Sequence, residues 1–171
     1  MKKIFLLVGI LFISILTFGT NEGKATEGKV EVKATIIRSL SVESTQPVDF
    51  GILIQGSKGI KSALGYFVVK GEEGQKIAIY VKAGNKYVRV TKHDLMEHEV
   101  ELIRENGTEK LTAMLNVAPD GNNEGYGKEG NVILPSGGVQ KFSVGGHIGD
   151  ISSNQKPGQY KGYLHVKVQY D

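Results

Sequence analysis

The chain has 171 residues, with 21 Lys and Arg against 18 Asp and Glu, 23 glycines and no cysteine. The missing thiols exclude disulfide staples, thiol catalysis and a thioether-linked lipid. The small charge excess, with Lys and Glu interspersed along every segment, excludes the clustered basic face of a nucleic-acid-binding protein.

Lys2 and Lys3 precede an apolar run over residues 4–19 that only Ser14 and Thr17 interrupt. That is the layout of a secretory signal peptide. The run turns polar at Thr20, Asn21 and Glu22, short of the roughly 20 apolar residues that a spanning helix needs. Cleavage is expected after Ala25, with Gly23 at the −3 position. The alternative is an uncleaved anchor, and on either reading the remainder leaves the cytoplasm. Taking Lys2, Lys3 and Lys24 from the 21 basic residues and Glu22 from the 18 acidic ones leaves 18 against 17, so charge points to no particular partner. The rest of the chain has the length of one domain with a sizeable core.

Beyond that segment, apolar residues recur with period two, as in strands with one buried face. Val30, Val32, Ala34 and Ile36 alternate with Glu31, Lys33 and Thr35. Leu40 and Val42 begin a second strand, and Val48, Phe50 and Ile52 a third after a Gln46-Pro47 turn. Residues 65–69, 77–81 and 87–90 follow, joined as hairpins by the turn residues 71–74 and by Gly84-Asn85. Asn106-Gly107 predicts a two-residue type I′ turn between strands over 100–104 and 110–115. A long Gly/Asn-rich loop over 119–131 precedes strands over 132–134, 139–144 and 160–170, and a short helix is expected only over 94–101. Many short strands with frequent turns predict an antiparallel sandwich rather than an α/β fold.

Catalytic and metal chemistry finds little to stand on. His93 and His98 are five apart, wrong for a helical zinc pair, and His147 and His165 stand alone, so solvated imidazoles are expected. The loop from Asp120 offers oxygen ligands at the first, third and fifth places of a calcium loop, but Asn131 stands where a bidentate Glu is needed. It reads as a polar surface loop. No Gly-x-Ser-x-Gly elbow or Cys/His pair is present, and the glycines at 56, 59 and 65 lack the lysine of a phosphate-cradling loop. The sequence therefore predicts no enzyme and no cofactor.

The most informative stretch is the last, where Gly162, Leu164, Val166, Val168 and Tyr170 share one face. With Gly158 fourteenth from the end and Tyr170 penultimate, the chain resembles pilin subunits of the chaperone-usher pathway. More specifically it is similar to archaic pilins of the spore-coat-U-like group and to related pilin-like secreted domains. The resemblance is carried by residues 28–36, 48–51, 142–148 and 157–170, and none is found over 57–131. Many such pilins have a disulfide near the first strand, and this chain departs from them there.

The resemblance implies an immunoglobulin-like antiparallel β-sandwich that lacks one strand and is completed by strand donation. Residues 1–25 are then the signal peptide, 26–38 a candidate donor strand, and 39–171 the sandwich. Val30, Val32, Ala34 and Ile36 would enter a neighbour's groove, while Gly158, Leu164, Val166, Val168 and Tyr170 would line the strand that receives a chaperone's strand or a neighbour's. The implied partners are other copies or related pilins, a periplasmic chaperone and an outer-membrane usher, and the implied place is the cell surface, in a fimbrium serving adhesion or biofilm formation. Alternation alone leaves open whether residues 29–37 enter another copy or complete their own domain. A self-contained surface or periplasmic sandwich with a binding role shares all these features except the need for a neighbour.

Overall fold

The computed structural model describes residues 27–91, 97–121 and 130–171. The chain divides into two compact units, Met1–Thr35 and Ile36–Asp171. In the described part of the first, residues 27–35 form no strand; Lys33 pairs with Glu31 at 3.0 Å, and Val30 and Val32 are 87% and 89% exposed. The signal segment and its cleavage point lie outside the described residues.

Among its described residues the second unit contains ten strands and no helix. They are β1 (Ser41–Gln46), β2 (Lys61–Lys70), β3 (Lys76–Ala83), β4 (Lys86–Arg89), β5 (His98–Arg104), β6 (Lys110–Pro119), β7 (Asn131–Ile133), β8 (Val139–Ile148), β9 (Tyr160–Lys161) and β10 (Val166–Tyr170). One sheet runs β1-β2-β8-β6-β5-β9 and the other β10-β3-β4, with β7 sharing an edge of β3 with β4. Every pairing is antiparallel.

This is the all-β sandwich that the strand pattern predicts. In the immunoglobulin plan one sheet holds strands A, B, E and D, and the other C, F and G. By chain order and neighbours, β1, β2, β8 and β6 take the first set of places, β3 takes C, β4 lies outside it, and β10 takes F. No described strand takes the place of G.

Period-two alternation builds the core from both sheets. In β3, Ile77, Ile79 and Val81 are fully buried, and they face Val69, Phe142, Val117 and Leu115 of the other sheet within one cluster. Phe67 and Phe142, directly paired between β2 and β8, stack with centroids 5.0 Å apart, an arrangement worth about 0.5–1.5 kcal/mol beyond burial. Gly65 in β2 lets the chain cross closely, since a Cβ there would stand 2.7 Å from the Val48 amide nitrogen.

Several local expectations are corrected. Val48, Phe50 and Ile52 form no strand: Phe50 turns into the core while Ile52 is 91% exposed, because the chain leaves β1 at a bulge after Ser44 and finds no sheet partner. Residues 71–74 join strands of different sheets instead of making a hairpin. The turn at Asn106 is shifted by one residue: Gly107 N–H donates to Arg104 C=O at 3.1 Å, so Glu105 and Asn106 are central, and the positive φ of 60° falls on Asn106. The helix expected over 94–101 is strand from His98 onward, and its first part, with His93, lies outside the described residues. The stretch 160–170 is two strands, β9 on β5 and β10 on β3, so one run of alternation crosses between sheets.

Candidate functional site: an open groove beside the last strand

With no described strand in the G place, β10 has an edge that no described strand pairs. Lys82 N–H donates to His165 C=O, and Asp171 N–H to Lys76 C=O, both at 3.0 Å. Residues 165, 167, 169 and 171 therefore direct their backbone groups at β3, and strand alternation turns the N–H and C=O of Val166, Val168 and Tyr170 to the opposite edge. Among the described residues no strand pairs that edge.

The side chains follow the same logic. Leu164, Val166, Val168 and Tyr170 pack on the core but are only half-buried, whereas the inward residues of the neighbouring β3 are sealed. The difference is what one absent neighbour produces. Between this edge and β1 lies an open cavity of about 1430 Å³. Its floor is the inner face of the larger sheet, with Phe67, Val100, Leu102, Leu111, Ala113 and Val144. Val42 and Ser44 form one rim, facing inward because they pair directly with the inward Val69 and Phe67. Leu164 and Val166 form the other.

Polar contacts hold the wall over 155–161 in place. Glu109 accepts from Arg104 Nε at 2.8 Å and pairs with Lys156 Nζ at 2.6 Å, while Arg104 also donates to Pro157 C=O. The Lys156 ammonium, a backbone amide and the Arg104 guanidinium hold the Glu109 carboxyl down to about 2. Tyr160 Oη donates to Lys156 C=O and accepts from Gln155 Nε2, and Gln55 Nε2 reaches Gln155 C=O.

At the other end, Tyr170 Oη donates to Arg38 C=O at 2.5 Å and accepts from Glu72 N–H at 2.8 Å. Arg38 N–H donates to Glu72 Oε2 at 3.1 Å. The last strand, the start of β1 and the β2–β3 turn are thus joined at one point.

The sequence-derived residues divide as follows. Val166, Val168 and Tyr170 lie in β10 and Leu164 just before it; of these Leu164 and Val166 line the groove, as do Gly158 and Gly162. Gly162 falls in the crossing between sheets and Gly158 before β9, against the Arg104 side chain, so neither belongs to the strand with the open edge. Val30, Val32, Ala34 and Ile36 are exposed and in no strand. His165 is exposed, but His98 is buried, against the expectation of a solvated ring, because it is the first inward residue of β5; burial pushes its pKa down. Asp120 pairs with Lys141 at 3.2 Å, and residues 122–129 of its loop lie outside the described residues. Among the described residues no three His, Asp or Glu side chains gather as a metal site.

Sequence reasoning missed the β1 rim and the Arg38–Glu72–Tyr170 junction. Ser44 carries no apolar signal, and only its pairing with Phe67 of β2 reveals which face it occupies. Comparison with protein-family models finds no family that matches the chain, and comparison with curated proteins finds no relative.

Proposed function

We propose that this chain is a structural subunit of a surface fibre of the chaperone-usher kind, exported by its N-terminal signal and joined to its neighbours by strand donation. The observation that carries the reading is the free edge of β10, with half-buried Leu164 and Val166 beside an apolar floor. A strand added there satisfies the backbone groups of Val166, Val168 and Tyr170 and covers the floor with alternate side chains. Left open, such an edge is an aggregation hazard, which gives a chaperone its purpose.

Residues 29–37 have the complementary pattern. Val30, Val32 and Ile36 enter as alternate residues while Glu31, Lys33 and Thr35 face water. Each aliphatic side chain buried contributes about 1.5–3 kcal/mol. Because donor and acceptor are different surfaces of one molecule, the contact repeats head to tail and does not close, and a filament results.

The test uses a chain beginning at Arg38 and a synthetic peptide of residues 29–37. The peptide is expected to bind, to raise the unfolding temperature, and to lose both effects when it carries Val32→Asp. A chain beginning at residue 26 that stays a stable monomer and ignores the peptide would overturn the reading and leave a self-contained sandwich.

A further inference from the structure

Tyr170 belongs to two places at once. Its backbone lies on the free edge that would receive an incoming strand, and its hydroxyl holds the main chain of Arg38, from which residues 29–37 depart. Both backbone groups of Arg38 are engaged, the C=O by Tyr170 and the N–H by the Glu72 carboxylate, whereas Ile36, two residues earlier, is 98% exposed. Arg38 is therefore the root of the segment. The turn that completes the junction is built for it: the Glu72 amide donates to the same hydroxyl, and a Cβ on Gly71 would collide with Tyr170 Oη at 2.7 Å.

We infer that Tyr170 couples the two ends of a subunit, so that filling the groove of one copy fastens the root of its own outgoing segment. The proposal rests on the strand-donation reading above and deepens it. Two backbone hydrogen bonds from an incoming strand to Tyr170 fix the end of β10, which among the described residues has a strand partner on one side only. A fixed Tyr170 ring places its hydroxyl on Arg38 C=O and Glu72 N–H for a larger share of the time. A subunit that has received a strand then presents its own segment from a defined point and direction, and an unfilled one does not. Along a fibre, load entering through the strand on β10 leaves through Arg38 by way of this side chain.

Coupling between two sites is reciprocal, so the same contact must also strengthen the grip on the incoming strand. The test uses the full mature chain carrying Val32→Asp, which blunts its own donor, with the wild-type peptide of residues 29–37 added and the amide exchange of Arg38 and Glu72 followed by NMR. Peptide binding is expected to slow exchange at both amides by at least about fivefold, the lower end of ordinary coupling. In Tyr170→Phe, which keeps the ring, the peptide is expected to bind several-fold more weakly and to leave Arg38 exchange unchanged. Glu72→Ala, which removes the carboxylate held by Arg38 N–H, should free the Arg38 amide and weaken peptide binding in the same sense. Peptide that binds without slowing exchange at Arg38, or that slows it equally in Tyr170→Phe, overturns the coupling and spares the donation reading. No peptide binding at all overturns both.

Discussion

His98 shows how far one buried residue departs from what its letter suggests. Only 6% exposed at the start of β5, it has a pKa lowered by desolvation from the ordinary value of about 6.5. The unfolded chain therefore takes up a proton at a pH where the folded chain does not. Stability contributed by the neutral ring is fully present above about pH 6.5 and falls as the pH drops from there toward the folded-state value. Denaturant midpoints measured between pH 7.5 and 5 should decline, and His98→Gln should flatten that decline. Glu109 acts lower on the scale. Its carboxyl is held down to about 2 by Lys156, a backbone amide and Arg104, so its share of stability is lost only as pH falls from about 4.5 toward 2. Lys156→Met should move that loss to higher pH, read by acid titration of the folded fraction.

At the level of strands, β3 and β10 run side by side and differ in one respect, the number of neighbours. Ile79 of β3 is flanked by Val168 of β10 on one side and by Val90, whose N–H donates to its C=O, on the other, and it is buried in the core, so Ile79→Ala should cost about 2–5 kcal/mol in equilibrium unfolding. Val168, paired with it directly, is half-buried, and Val168→Ala should cost clearly less in the isolated chain. The gap between the two should narrow once a strand fills the groove. Here the reach of the sequence is also plain. Alternation over 160–170 gives Gly162, Leu164, Val166, Val168 and Tyr170 one face, and all five are half-buried, since side-chain parity depends only on the chain itself. It could not reveal that β9 and β10 pair in different sheets, because a crossing between 161 and 166 preserves parity while changing partner. Val48 and Phe50 misled for the converse reason. Apolar alternation marks which side chains seek burial, and Phe50 reaches the core from irregular backbone over the glycine-opened crossing at Gly65.

For the whole molecule, the central fact is an imbalance between its two sheets: six strands face a smaller sheet that stops at β10. A sandwich stabilises itself by covering both inner faces, and the groove lined by the half-buried Leu102 and Leu111 opens where the described strands of the smaller sheet end. Neither sheet's strand count was legible in the sequence, because pairing partners lie far apart along the chain. The segment proposed to fill the gap carries Val30, Val32 and Ile36 as alternate apolar residues, and these are exposed in the chain itself. If the gap is filled between copies, assembly must depend on concentration and on that segment's apolar face. Mature protein held at rising concentration should form head-to-tail oligomers seen by light scattering, and Val32→Asp should abolish them while leaving the monomer's unfolding temperature unchanged, since Val32 buries nothing within its own unit. Adding a chain truncated to begin at Arg38, which accepts but cannot donate, should shorten wild-type oligomers in proportion to its share of the mixture. Equal inhibition by a truncated chain whose groove is altered by Val166→Asp would mean that the oligomers form through another surface, because on the strand-donation reading an open β10 edge is what caps a growing end.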